Sequence, residues 1–235
     1  MTRQETTFAV EQRRQMNLAL NICFETPVNI GGYGAPSFVD RPFRRDSKGW
    51  PFIPASSLKG RLRYECERLA RALGEDVCGG PVPDEMHRRR TCTICEVFGS
   101  PWIAGRIYPT NLTLKSPNEL GQARGRNEQA PLADIRYNVS LSRQRRVAEE
   151  ARLFTTEVFL PGVPLTFAAD WEVELTLKEL VLLEAGLGTI TALGRGKTGG
   201  LGWCHITVES ELWERGERRP VTEAERAEGR AAWQG

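Results

Sequence analysis

A chain of 235 residues with a formal net charge of +2 has length for one sizeable hydrophobic core and little to spare for a second domain. It contains no apolar run near the roughly 18 residues of a membrane span, and its first residues, MTRQETTFAVEQRR, lack the apolar centre of a secretory leader, so a cytoplasmic protein with no membrane contact is expected. There the six cysteines stay reduced, and any that cluster are metal ligands before they are disulfides. The near-neutral total hides basic runs: RPFRR at 41–45, RRR at 88–90, then Arg124, Arg126, Arg136, Arg143, Arg145, Arg146 and Arg152. Charge this local points to a polyanion partner, although any single run is usually a solvated face.

Met16, Leu18, Leu20, Ile22 and Phe24 alternate with polar or small residues, the pattern of a half-buried first strand. After a loop rich in glycine and proline, Ser56 and Ser57 offer helix caps, and Leu58, Leu62, Cys66, Leu69 and Leu73 then recur every three or four residues, as on an amphipathic helix. A shorter strand pattern lies near 106–115. The clearest strand is 165–177, where Leu165, Phe167, Ala169, Trp171, Val173, Leu175 and Leu177 alternate without a break. A second helix over 178–187 and a last strand over 202–208 complete the order β-α-β-β-α-β. That order is α+β and ferredoxin-like: helices on one face of an antiparallel sheet, the other face open to a ligand. The domain spans 1–210 with insertions at 25–55, 74–104 and 116–152, none apolar enough for a core of its own, and residues 211–235 read as a peripheral charged tail.

Cys78, His87, Cys92 and Cys95 form C-x8-H-x4-C-x2-C, three thiols and an imidazole that match the tetrahedral demand of structural zinc. Four protein ligands leave no position for a reacting water, so the metal stiffens the second insertion and does not catalyse. The competing reading is unlinked buried thiols beside a surface histidine. Cys23, Cys66 and Cys204 fall on strand or helix patterns and read as core.

IPASSLKGRLR, 53–63, places Ser56, Ser57 and backbone amides at a helix start, followed by Lys59, Arg61 and Arg63, a setting that favours an anion. Taken alone it is equally a capped helix with a wet basic face. LGRGKTGGLGW, 193–203, contains GKT but fails as a phosphate-binding P-loop: Thr191 stands where the first glycine belongs, and the segment runs from helix to strand. Its glycines instead let the backbone approach a sugar-phosphate chain, with Arg195 and Lys197 supplying charge. With two histidines in the chain, histidine-pair catalysis has almost no candidates. Asp40, in VDRPFRRD among Arg41, Arg44 and Arg45, reads from its neighbours alone as a loop salt bridge; the alternative is a carboxylate that holds a divalent metal or orients a ribose 2′-hydroxyl.

Taken together, IPASSLKGRLR, TCTICEVFGS and LGRGKTGGLGW, in this order over roughly residues 16–209, resemble the RAMP superfamily, specifically the backbone subunit of type III CRISPR effector complexes. The resemblance implies a modified RNA-recognition-motif fold. It also implies copies that stack along a crRNA guide with other subunits of the complex, and a thumb hairpin that interrupts pairing with the complementary target RNA; residues 116–152 correspond to it. It implies metal-dependent cleavage of that target by an aspartate ahead of the helix motif. Asp40 occupies that position, which reverses its reading as a salt bridge; the divalent ion implied is Mg²⁺. The expected RNA contacts are Arg44, Arg45, Ser56, Ser57, Lys59, Arg61, Arg63, Arg136, Arg143, Arg195 and Lys197. Two departures stand out, Ala55 in place of the usual glycine and Lys197–Thr198 in the glycine loop. Two other readings compete: a structural subunit that binds the guide without chemistry, and a guide-processing endonuclease, which the shortage of histidines disfavours.

Overall fold

The computed structural model describes residues 12–32, 39–78, 83, 86, 91–115, 133–159 and 165–233. The long strands are β1 (Arg14–Phe24), β7 (Leu165–Leu175) and β8 (Cys204–Glu214), with β2 (Phe52–Ile53), β3 (Ile107–Tyr108) and β4 (Leu112–Leu114) as short pieces between them in sequence. A hairpin of β5 (Ala133–Ser142) and β6 (Val147–Phe159) forms its own two-stranded sheet. The helices are α1 (Ala55–Ala72), α2 (Thr93–Phe98), α3 (Leu177–Gly188) and α4 (Glu223–Ala231), and β9 (Glu217–Pro220) follows β8.

The main sheet runs β2-β4-β7-β1-β8-β9, with β3 also on β7. Its four principal strands in chain order, β1, β4, β7 and β8, lie in the spatial order four-one-three-two and pair antiparallel, the ferredoxin-like arrangement read from the sequence. Alternation fixes the register. Ile22 faces Phe167 and Leu18 faces Trp171 across β1 and β7, so one face collects Met16, Leu18, Leu20, Ile22, Phe24, Phe167, Trp171 and Val173. These join Leu58, Leu62 and Cys66 of α1 and Leu180, Leu183 and Leu187 of α3 in one core cluster. Each such buried side chain contributes about 1.5–3 kcal/mol. The two helices approach closely because position 186 is glycine: a Cβ there would lie 2.7 Å from Cys66 Sγ.

Three sequence expectations are corrected. Ser56 and Ser57 do not cap α1. The cap is Pro54, without a side-chain bond, and the Ala55 amide donates to Asn111 Oδ1 at 2.9 Å; a proline at the cap presents no N–H to satisfy, and the serines become exposed first-turn residues. The insertions at 25–55 and 74–104, read as too poor in apolar residues for a core of their own, add Val28, Ile30, Phe43, Ile94, Val97 and Phe98 to the main cluster.

Residues 211–233 do not form the peripheral tail expected over 211–235. β8 continues to Glu214 and pairs with β9. Val221 is buried, Gly229 packs where a Cβ would meet Leu177 O at 2.4 Å, and Trp233 Nε1 donates to Lys178 O at 2.8 Å. The segment carries few apolar residues because a capping box at Thr222 and the Arg226–Glu184 pair at 2.9 Å share the work of docking it. The hairpin runs on to Phe159, past the expected end of the third insertion at 152. His87 and residues 116–132 lie outside the described residues. Among the described residues no helix is long and apolar enough to cross a membrane.

Candidate functional site

The Asp40 loop, the β5–β6 hairpin and the glycine loop meet at one buried residue. Asn29 is fully buried; its Nδ2 donates to Arg41 O at 3.2 Å and to Glu157 O at 2.6 Å, and its Oδ1 has no hydrogen-bond partner among the described residues. Its carbonyl accepts from the Arg195 amide at 2.9 Å. One asparagine thus ties the first loop to the Asp40 loop, to the base of the hairpin and to the glycine loop. A buried amide left half-satisfied costs about 1–3 kcal/mol, set here against the hydrogen bonds by which it holds these loops together.

The glycine loop needs its glycines for two physical reasons. Gly194, Gly196, Gly200 and Gly202 have positive φ, a region costly for other residues, and a Cβ at Gly202 would lie 2.0 Å from Leu193 O. Between them, Lys197–Gly199 forms a short 3-10 turn with Lys197 exposed. Arg195 is also exposed, and its guanidinium lies over Gly31, where a Cβ would meet Nε at 2.8 Å.

The Asp40 loop is docked along β6. The Arg41 amide donates to Thr155 O and the Glu157 amide to Arg41 O, both at 3.0 Å, and the Arg41 guanidinium covers the Phe154 ring at 3.9 Å. Glu157 accepts the Phe43 amide at 2.7 Å and pairs with Arg45. Asp40 itself is exposed. Its Oδ2 accepts from the Thr155 amide at 2.7 Å and from Thr155 Oγ1 at 3.0 Å, while the Asp40 amide donates to Thr155 Oγ1 at 3.0 Å. These Thr155 bonds, backbone first, hold the Asp40 carboxyl below its ordinary value despite slight desolvation. The partner of Asp40 is therefore the hairpin and not a loop arginine, and among the described residues its Oδ1 accepts no hydrogen bond.

The other basic candidates divide. Arg44 sits above Phe52 at 6.0 Å, its amide bound to Ile30 O; Arg136 and Arg143 are exposed on the hairpin, and burial next to Arg63 lowers the Lys59 pKa. Arg61 pairs with Glu65 at 2.7 Å. Arg63 is not on a wet face: it donates to Glu67 at 2.9 Å, to Gly99 O at 2.8 Å and to Cys95 Sγ at 3.8 Å, so it braces the cysteine cluster.

In that cluster, Cys78, Cys92 and Cys95 are buried with their sulfurs within 4.8 Å of one another. Cys78 Sγ stands 3.5 Å from each of the other two. Thiolates about 2.3 Å from a tetrahedral zinc are roughly 3.8 Å apart, so the spacing fits a shared metal and excludes a disulfide. Burial pushes the Cys95 thiol up to about 12, with the neighbouring thiols adding to it. Burial also acts on Cys92, but hydrogen bonds from the amides and thiols of Cys78 and Cys95 together outweigh it and hold that thiol down. The cluster could bind a metal such as zinc, and the fourth position expected from the sequence, His87, lies outside the described residues.

The open face of the sheet is not a basic platform. Asp170, Glu172 and Glu174 on β7 and Glu209 and Glu211 on β8 line it beside Asn17, Ala19 and Asn21 of β1. A surface of that sign repels phosphates, which corrects the expectation of a ligand on this face.

Asn29, Asn111, Thr155 and Glu157 hold these loops through hydrogen bonds that the sequence reading does not reach. For the last two a signal exists in the β-branched and aromatic residues Phe154, Thr155, Thr156, Val158 and Phe159, which mark a strand where the sequence reading places a connection.

An antiparallel ferredoxin-like domain with a hairpin and glycine-containing loops knotted at one end belongs to the class whose function lies in loops grafted on a rigid sheet. The RAMP superfamily model matches residues 21–205, and the chain belongs to that superfamily. It is similar to the CRISPR system Cms endoribonuclease Csm3 of Mycobacterium tuberculosis, 30% identical over 154 residues, which cover 63% of this chain and 60% of the relative. It is also similar to the protein of the same name from Methanocaldococcus jannaschii, 38% identical over 78 residues, 32% of this chain and 30% of that relative. The chain thus spans less than two thirds of either relative.

Proposed function

We propose that this chain is a crRNA-binding backbone subunit of a type III CRISPR effector complex, stacking in copies along the guide and cleaving complementary target RNA at regular intervals. The observation that carries this reading is Asp40: an exposed carboxylate pinned through one oxygen to the base of a basic hairpin. Arg41 and Arg44 flank it in sequence, and Asn29 ties its loop to the loop of Arg195. The β5–β6 hairpin is the thumb of this proposal, with Arg136 and Arg143 along the RNA.

The chemistry follows from the lowered Asp40 pKa. A carboxyl that stays ionised is a weak base, so Asp40 holds charge and orients groups and does not take the proton. Asp40, one carboxylate with an oxygen to spare, would hold a divalent ion such as Mg²⁺, which would supply Lewis-acid stabilisation of the phosphoryl oxygens. The ribose 2′-oxygen attacks the adjoining phosphorus as its proton leaves to water. The P–O5′ bond breaks, and the departing oxygen takes a proton from water, giving a 2′,3′-cyclic phosphate and a 5′-hydroxyl. Arg44, Arg195, Lys197 and Lys59 fix the backbone by neutralising phosphates, while guide pairing selects the sequence.

The test assembles the protein with guide RNA and partner subunits, adds labelled complementary RNA with Mg²⁺, and compares wild type with Asp40→Ala. Regularly spaced fragments from wild type alone are expected. Equal cleavage by both removes Asp40 from the chemistry, and bound but uncut RNA in both makes the chain a structural guide-binding subunit.

A further inference from the structure

Thr155 is bonded to both ends of Asp40. Its Oγ1 accepts from the Asp40 amide and donates to Oδ2 of the same residue, each at 3.0 Å, while its amide reaches Oδ2 at 2.7 Å. A side chain held at its own amide and its own carboxylate has one rotamer left, with Oδ1 the oxygen turned away from these bonds. Thr155 lies mid-strand in β6, whose partners in β5 are set by register: Tyr137 faces Thr155 and Ile135 faces Glu157. The same strand holds the rest of the loop through Glu157, which accepts the Phe43 amide, and through the Glu157 carbonyl, which accepts from buried Asn29.

We propose that Thr155 is a positioning residue for Asp40, so that the β5–β6 hairpin sets where the reactive carboxylate stands as well as gripping RNA. This inference rests on the reading of Asp40 given above. The strand that carries Thr155 also carries the bonds to Asp40, so a bend or slip in the hairpin displaces the group that holds the carboxylate. A misplacement near 1 Å costs on the order of a hundredfold in rate. The hairpin bearing Arg136 and Arg143 and the loop bearing Asp40 therefore move as one piece, and RNA seated against the hairpin sets the carboxylate.

Thr155→Val removes the hydroxyl and keeps the shape, the strand propensity and the backbone bond to Oδ2; Thr155→Ser restores the hydroxyl. In the assembled complex at saturating target, Thr155→Val is expected to lower the single-turnover cleavage rate about ten- to hundredfold with target affinity unchanged, and Thr155→Ser to return it to near wild type. The Asp40→Ala, Thr155→Val double variant should cleave no more slowly than Asp40→Ala alone. In the free protein, amide hydrogen exchange over residues 39–46 should quicken in Thr155→Val and not in Thr155→Ser. Wild-type cleavage by Thr155→Val, or a double variant slower than Asp40→Ala, overturns the positioning role while leaving Asp40 in place. Cleavage that survives Asp40→Ala overturns the reading beneath it.

Discussion

Replacing Cys92 by serine removes one of three sulfurs that stand 3.5 Å from, or within 4.8 Å of, one another. A metal across Cys78 and Cys92 closes a loop whose ends are 14 residues apart, and a cross-link of that length stabilises a fold by about 3 kcal/mol through loop entropy alone. For a domain of this size each kcal/mol moves the Tm by about 2–4 °C, so loss of the metal should lower the Tm by about 6–12 °C. Global unfolding is not expected, because Ile94, Val97 and Phe98 of α2 remain buried in the main core. The assay pairs elemental analysis, expected to find about one zinc per wild-type chain and none in Cys92→Ser, with thermal melts of wild type with and without a strong chelator. Purified wild type free of metal, or a melt indifferent to chelator in a zinc-loaded sample, would refute the shared-metal reading and return these residues to plain buried thiols.

Other expectations follow from particular contacts. Phe24, fully buried at the end of β1, meets Phe167 edge-on at 5.8 Å, and Phe24→Ala should cost about 3–5 kcal/mol in urea unfolding. Arg195→Ala with Lys197→Ala should weaken RNA binding and flatten the salt dependence, lowering the log–log slope by about 0.7 for each phosphate no longer neutralised; an unchanged slope removes both from the RNA path. Arg219 hydrogen-bonds Glu225 and brings its carboxyl to about 2 from an ordinary 4.5. A depressed folded value means stability that is fully present above pH 4.5 and is lost as pH falls through about 2. The stability gap between wild type and Glu225→Gln should therefore close across that acid window in pH-resolved melts, and a gap that persists at about pH 2 contradicts the pairing.

The main sheet and its two long helices are legible in the residue order alone, because period-2 and period-3.6 patterns are written directly in β1, β7, α1 and α3. So is the cysteine trio, since CxxC spacing is a local feature, whereas Asp40 stands out only through the resemblance to a family, its arginine neighbours alone reading as a salt bridge. What the loops do is settled in three dimensions. Asn29 gathers chain segments that are far apart in sequence; Thr155 reaches Asp40 across 115 positions, and Arg63 turns inward to the sulfurs. Folding likewise brings Asn111 to the start of α1, fastens the C-terminal segment onto α3 through ion pairs and a tryptophan, and collects acidic side chains on the open sheet face. Such contacts depend on which segments meet, which no local period encodes. A short stretch declares its own strand or helix through the repeat of its side chains, whereas the partner of a carboxylate or a buried amide is chosen by the fold.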